Sequence, residues 1–395
     1  MLFRKNIITL SKIKLMTLKE FSYSEFDSKS PRHWELENFA LNNINLFVGD
    51  NASGKSRTLK YIFLLSRILL SSKYHLISGN YIAIFEDEGK KLTYELSFKD
   101  GKIELEKFYS EESIFVNRSN TGEGEIYNAL LKQNVKFRIP EEELISTRRD
   151  ELQFPFLEKL FKWASNIRHF RFSKEEEKQR LILIESNRPV TSGHNQNNLA
   201  NQAIEVFRNG KAKYKEEFIN KIIADFNIIG YDIKNIDFGT LHSIQIDSPI
   251  ANRVVGLRVF EQDRQGTTDQ NEMSDGMFRA LSLIIHYNYY QLTKQSLTVL
   301  VDDIGEGLDY ARSTKLIKLL IEKSLDSNIQ LIMSSNDKFV LNNTDLRYWQ
   351  VVNRIGNQVK IYNFNNSKEK FENFKFTGLN NFDFYISDFC NEDFE

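Results

Sequence analysis

The stretch Val48-Gly49-Asp50-Asn51-Ala52-Ser53-Gly54-Lys55-Ser56 has the residue types and spacing of a phosphate-binding loop. In a G-x-x-x-x-G-K-S loop, backbone N–H groups and an open helix N-terminus converge on phosphate oxygens. Lys55 adds a cation that reaches the β- and γ-phosphates, and the Ser56 hydroxyl is placed for Mg²⁺. Gly49, Asn51, Ala52, Ser53, Gly54, Lys55, Ser56 and Arg57 are therefore the expected lining of an ATP site. A second chemical feature is Asp302-Asp303, at the end of the apolar run Leu297–Val301. Two acids can simply terminate a strand. Beside a phosphate loop, however, Asp302 is placed to hold Mg²⁺ and Asp303 to orient or deprotonate an attacking water. A third is Ser274-Asp275-Gly276, which reads as an ordinary helix N-cap and also as a set of phosphate-contacting donors.

These residues need strands and helices to hold them. Ile44–Val48 is an apolar run ahead of the loop, and a helical pattern follows from Ser56 to about Leu70. Phe21-Ser22-Tyr23, Trp34-Glu35-Leu36 and an earlier Ile13-Lys14-Leu15 alternate, as an antiparallel β lead-in would. Alternation returns over residues 80–118, punctuated by Gly79, Gly89 and Gly101, which predicts β-hairpins. From Asn128 the pattern turns mostly helical, with candidate helices Glu141–Ile145, Phe156–Ile167 and Ile204–Phe226 broken by Pro140, Pro155 and Pro189. Lys174–Arg180 reads as a solvated helix face and Thr191–Asn198 as a loop. Strands are expected again at Ser243–Ile246 and Val254–Phe260. Buried strands Leu297–Val301 and Ile329–Met333 then alternate with helices after Met277 and over Ser313–Ser324, which argues for a parallel βαβ sheet. The tail ends in aromatic and acidic residues, read as a docking or solubilising segment.

The chain has 395 residues, 41% of them apolar, with 31 Phe and a formal net charge of −1. A sizeable core fits this composition, and there is no global basic footprint for nucleic acid. The single cysteine, Cys390, rules out an internal disulfide and a multi-cysteine zinc site. The six histidines have no H-x-x-x-H or H-E-x-x-H spacing, so no zinc is expected. No apolar run approaches a membrane span, and the first residues lack a signal-peptide pattern. The expected location is cytoplasmic, with no membrane partner.

Gly49–Ser56, Met273-Ser274-Asp275-Gly276, Asp302-Asp303 and Leu308-Asp309 stand in the order and rough spacing of ABC-type ATPase heads. The chain resembles the head-only members of the SMC and OLD group, and in particular the ATP-binding components of bacterial antiphage defence systems. That resemblance implies an α/β fold: an ABC-type P-loop ATPase head with a β-rich lead-in, an antiparallel insert, a central mainly parallel sheet and an inserted helical lobe. The implied divisions are an N-terminal lobe at 1–118, a helical lobe at 119–239, a C-terminal ATPase half at 240–345 and a tail at 346–395. It implies Walker A at Gly49–Ser56, with Lys55 catalytic, and a signature motif at Ser274, Asp275 and Gly276 facing the γ-phosphate of an opposing subunit. Asp302 becomes the Walker B acid and Asp309 the D-loop residue at a dimer interface. ATP and Mg²⁺ are the implied cofactors. The implied partners are a second head, in a homodimer or higher homo-oligomer, and a separate effector protein, a nuclease or toxin.

The sequence departs from the family pattern twice. The catalytic position after Asp302 is usually Glu; here it is Asp303, one methylene shorter. A displacement of about 1 Å can cost on the order of 100-fold in rate. The switch position, usually His, is Asn336, which can hydrogen-bond but not titrate. Slow or partner-stimulated hydrolysis is expected. Ser146-Thr147-Arg148-Arg149-Asp150 reads equally as a charged turn and as a γ-phosphate sensor. The short chain after Asn336 leads us to expect no appended nuclease domain of the OLD type. A rival reading is a DNA-repair or DNA-end-binding ATPase, with Arg148, Arg149, Arg168, Arg171 and Arg208 on phosphates. A transporter subunit is a weaker third.

Overall fold

The computed structural model describes residues 16–26, 33–71, 78–172, 182–183, 203–243, 254–375 and 377–387. The expectations at Ile13–Leu15, Lys174–Arg180, Thr191–Asn198, Ile244–Ile246 and Cys390 lie outside them. Strands β1 (Thr17–Phe26) and β2 (His33–Ala40) lead into β3 (Ile44–Val48) and helix α1 (Lys55–Leu70). Six strands follow: β4 (Ser78–Asp87), β5 (Lys90–Lys99), β6 (Lys102–Ser110), β7 (Ile114–Ser119), β8 (Glu123–Asn128) and β9 (Gln133–Arg138). Then come α2 (Pro155–Ser165), β10 (Ile167–Arg171), β11 (Ile182–Leu183), α3 (Ala203–Ile228), β12 (Ile233–Thr240), β13 (Val254–Glu261) and β14 (Thr268–Asp269). The last third holds α4 (Asp275–Thr293), β15 (Leu297–Asp302), α5 (Tyr310–Leu325), β16 (Ile329–Ser334), α6 (Lys338–Asn342), β17 (Trp349–Ile355), β18 (Gln358–Asn363), α7 (Lys368–Lys375) and α8 (Asn381–Ile386).

One large sheet runs in the order β10-β15-β16-β3-β17-β18-β2-β1-β4-β5-β6-β7-β8-β9. Its first five strands are parallel, and β2 through β9 pair antiparallel along β1 and β4. Every residue of β3, β15 and β16 is buried. Their side chains alternate between two cores. Leu46, Val299 and Leu331 face the core that holds α3, α4 and α5, while Phe47, Leu300 and Ile332 face the core around α1 and α2. A parallel sheet covered on both faces demands such continuous apolar strands. A smaller sheet, β11-β13-β12 with β14 on β13, joins the first core.

Several local expectations change. Glu88 and Gly89, and Asp100 and Gly101, all have positive φ, as two-residue hairpin turns with right-handed strand twist require. Gly79, expected at a turn, instead lies inside β4, where a Cβ would stand 2.7 Å from the Ser24 carbonyl oxygen. Residues 128–171, read as mostly helical, carry strands β9 and β10, β8 falls at the start of the stretch expected as a helical lobe, and Glu141–Ile145 holds no helix beyond one 3₁₀ turn at Ile145–Thr147. Pro140 ends β9 rather than breaking a helix. The strand β10, hidden behind the helical pattern of α2, adds to the central sheet beside β15. The short charged strands gain stability from pairing, which periodicity alone does not register. Helix α3 is two segments that meet at Lys215, where φ is 51°.

On α4, His286 is fully buried, its Nδ1 2.7 Å from the Ser282 carbonyl oxygen. Burial, with the Arg168 charge adding to it, pushes its pKa down from 6.5 to about 3. The unfolded chain therefore takes up a proton first as pH falls. The stability present above pH 6.5 is lost through the window down to about 3, at a limiting slope of about 1.4 kcal/mol per pH unit. Urea unfolding of the wild type and His286→Gln across this window checks it. An identical slope in both proteins would assign the loss to other groups.

Candidate functional site

The loop after β3 depends on two special backbone positions. A Cβ on Gly49 would stand 2.7 Å from the Val352 carbonyl oxygen and 2.8 Å from Ser53 Oγ. Gly54 caps α1 with φ 116°, a left-handed conformation that side chains resist. Lys55 is 6% exposed and donates to the carbonyls of Gly49 (2.6 Å) and Asp50 (2.9 Å). Burial pushes its ammonium pKa down, while the carboxylates of Asp303, Asp302 and Asp50 pull it back up. Ser56 is exposed in the first turn of α1. Ser53 Oγ is buried with no hydrogen-bond partner among the described residues, a donor left for something the loop holds. Arg57 turns aside: it pairs with Glu25 and lies 4.5 Å over the Trp34 ring.

Parallel pairing brings the acids to this loop. Ser334, at the end of β16, pairs across the sheet with Phe47 of β3. Its hydroxyl donates to Asp302 Oδ1 (2.6 Å) and accepts from the Asp303 backbone N–H (3.0 Å). Asp303 has φ 55°, a conformation that turns the chain sharply off the strand end. Burial raises its carboxyl pKa, the charges of Asp302 and Glu306 add to the rise, and Lys55 opposes it. Asn336 Nδ2 donates to Asn51 Oδ1 at 2.6 Å, so the residue expected at the switch position meets the phosphate loop directly.

The remaining sequence candidates form a second cluster. Ser274 caps α4, its hydroxyl accepting from Met277 N–H at 3.2 Å, with Asp275 in the first turn. Asp309 caps α5, accepting from Arg312 N–H (3.0 Å) and pairing with its guanidinium (2.7 Å). Arg312 in turn stacks 4.4 Å over Tyr231 and reaches the Gly230 carbonyl after α3. No hydrogen bond or ion pair among the described residues joins Ser274 or Asp309 to residues 49–56. The two helix ends touch at Gly276, where a Cβ would stand 2.2 Å from the Gly307 carbonyl oxygen. Gly276→Ala must therefore push the two caps apart, at a cost of about 1–3 kcal/mol. Denaturant unfolding should register that loss while nucleotide affinity at Lys55 stays within about twofold. Unchanged stability would show that the contact yields freely.

Some site residues escaped sequence reading. Ser334 carries the signal that identified Asp302, a polar group ending a buried strand. Arg354, which donates to the Ala52 carbonyl at 3.1 Å, and Tyr385, which donates to the Asp50 carboxylate, carry none. Three arginines offered for nucleic acid are engaged within the chain: Arg149 forks onto Glu158 and stacks on Phe161, Arg168 holds Tyr290, and Arg208 pairs with Glu205. The Arg149 pairing also occupies half of the candidate γ-phosphate sensor.

The donors suit a small hard cation that arrives with a nucleotide. Among the described residues no three His, Cys, Asp or Glu side chains group as an all-protein cage. Mg²⁺ needs none, since one or two carboxylates, a hydroxyl and substrate phosphates complete its shell. Asp302 and Ser56 are the residues that would hold it. No helix among the described residues is long and apolar enough to cross a membrane.

A phosphate loop, two acids and the Asn336 amide at the ends of the adjacent parallel strands β3, β15 and β16 make up the site of a P-loop ATPase fold. The chain belongs to the AAA_21 family, described as "AAA domain, putative AbiEii toxin, Type IV TA system", whose model matches residues 44–342. No curated protein matches its sequence. Solved structures similar to it include an SmcHead bound to the C-winged helix domain of ScpA, at 12% identity and TM-score 0.48, covering 87% of this chain and 96% of that one. The SMC head domain from Thermotoga maritima is similar at 13% identity and TM-score 0.43, covering 88% and 98%. An Smc head domain with an extended coiled coil, bound to the C-terminal domain of ScpA and derived from Pyrococcus furiosus, is similar at 14% and TM-score 0.45, covering 91% and 100%.

Proposed function

We propose that this protein binds ATP with Mg²⁺ and hydrolyses it slowly at a site completed by a second copy of the chain, and that it regulates a separate effector, a nuclease or toxin, in bacterial antiphage defence in the cytoplasm. What carries the reading is the division of the site. Lys55, Asp302, Asp303 and Asn336 gather at one place, while Ser274, Gly276 and Asp309 gather at another, with no hydrogen bond or ion pair joining the two groups among the described residues. Two heads facing each other would bring the donors of the second cluster to the phosphate held by the first. The toxin–antitoxin wording of the family description supports the effector role.

In this scheme Lys55 exchanges the carbonyls of Gly49 and Asp50 for phosphate oxygens. Asp302 and Ser56 would hold Mg²⁺, which would supply positive charge to the phosphates. Asp303 accepts the proton of the attacking water as its oxygen bonds to the γ-phosphorus, and the bond to the ADP oxygen breaks. Asn336 holds Asn51, and through it the loop, without adding a titrating group. Ser334 fixes both the Asp302 carboxylate and the Asp303 backbone, which keeps the cation ligand and the base in register.

Sedimentation with ATP and Mg²⁺ tests the clamp. Wild type should move to the mass of a dimer, whereas Lys55→Ala and Ser274→Arg should not. Equal mass in all three proteins, with and without ATP, would sink it. A tagged pull-down with mass spectrometry tests the effector, and recovery of the chain alone would count against that part.

A further inference from the structure

The final described helix returns to the nucleotide loop from the far end of the chain. In α8, Phe384 is 1% exposed and wedged against Trp349, Phe371 and Phe374, with ring centroids 6.0, 4.7 and 4.8 Å away. The same helix is bound to the segment that follows the residue expected at the switch position. Phe382 N–H donates to Asn342 Oδ1 (2.8 Å), Asn381 donates to the Thr344 carbonyl (2.9 Å), and the Lys338 ammonium stands 5.3 Å from the Phe382 ring. Tyr385 then directs its hydroxyl to the Asp50 carboxylate. Asp50 is no bystander, because its carbonyl accepts from Lys55. Its neighbour Asn51 accepts from Asn336, two residues before α6. One short helix is thus tied to both of the residues that follow Gly49, directly to Asp50 and through α6 to the partner of Asn51.

We propose that Tyr385 is a positioning residue of the nucleotide site: it holds Asp50, and a bound triphosphate releases that hold, so that α8 reports nucleotide occupancy. The inference rests on the reading of Gly49–Ser56 as a nucleotide loop and names how that site is regulated. The physical cause is charge. A triphosphate sets several negative charges beside the Asp50 carboxylate and draws Lys55 away from the Asp50 carbonyl. The carboxylate moves off, and the phenol loses its acceptor. Phe384 keeps the helix docked, so the change is local loosening rather than undocking.

Hydrogen exchange of the full chain, with and without ATP and Mg²⁺, reads this out, with a fluorescent ATP analogue measuring binding in parallel. Nucleotide should speed exchange over residues 381–387 by about three- to tenfold. Tyr385→Phe, which keeps the ring, should exchange fast in both states and bind nucleotide about two- to tenfold more tightly, since no hold has to be released. A tyrosine with a purely structural role would not tighten binding. Asp50→Asn, which keeps an acceptor but removes the charge, should show a smaller nucleotide response than wild type. Unchanged exchange in a wild type that binds nucleotide, or equal affinity in Tyr385→Phe, overturns the proposal and leaves the nucleotide reading intact. A wild type that binds no nucleotide overturns both.

Discussion

Asp303→Asn should lower ATP turnover by about 10²- to 10⁴-fold, the range associated with losing a general base, while nucleotide affinity changes only a few-fold. Asn is nearly isosteric, so the left-handed turn at Asp303 survives, and Asn tolerates positive φ well. Lys55, Ser56 and Asp302, which would carry most of the nucleotide contacts, are untouched. What disappears is the proton acceptor. Burial and the neighbouring charges of Asp302 and Glu306 raise the Asp303 pKa, so the acid limb of turnover should lie above the ordinary carboxylate range. The sign is fixed by the role: a base works deprotonated, so a raised pKa moves the loss of activity on acidification to higher pH. Glu306→Gln removes one negative neighbour and should shift that limb downward. Steady-state phosphate release across pH measures both effects. Turnover of Asp303→Asn within tenfold of wild type would mean that the water is activated elsewhere, and an unmoved limb in Glu306→Gln would mean that the limb is not that of Asp303.

The largest stability effect is expected at Arg118, far from the nucleotide loop. Arg118 and Glu106 are both buried, with a nitrogen–oxygen separation of 3.6 Å. Glu106 accepts from the backbone of Ile145 (2.9 Å) and Ser146 (3.0 Å) and from the Tyr94 hydroxyl (3.0 Å). Arg118 donates to the carbonyls of Pro140 (2.9 Å), Glu141 (3.2 Å) and Glu143. Together they stitch the turn 140–147 onto β6 and β7. Desolvation raises the Glu106 pKa and lowers that of Arg118, and each partner offsets part of the other's burial. Arg118→Leu leaves a buried carboxylate without its cation and takes a donor from three carbonyls, of which Pro140 and Glu141 keep the backbone N–H groups of Glu143 and Ile103, and the loss should be about 3–5 kcal/mol. The stranded Glu106 pKa rises further. Stability that is present while the group can hold a proton is then lost as pH increases, so the deficit should be larger at pH 8 than at pH 5. Urea unfolding of the single variants and of Arg118→Leu/Glu106→Gln completes a double-mutant cycle. A single-variant loss below about 1 kcal/mol would show that the pair contributes little.

The sequence by itself determined the local chemistry. The glycines and Lys55 of the phosphate loop, the acids Asp302 and Asp303, and the cap Ser274 can be read within a few residues of chain, because loops, caps and buried strands are set by short-range backbone geometry and side-chain periodicity. The same local reading mistook β9 and β10 for helical territory, since a short charged strand looks like a strand only once its neighbour is known. Only the tertiary structure decided the partnerships. Ser334 meets Asp302 because β15 and β16 run parallel and in register. Arg57 turns to Glu25 and Trp34 because β1 and β2 lie on its side of α1. Tyr385 reaches Asp50 across 335 residues of chain, a contact made by sheet order and by the docking of Phe384. Hydrogen bonds between residues so far apart leave no periodic trace in the sequence, because nothing fixes their spacing until the strands between them have paired.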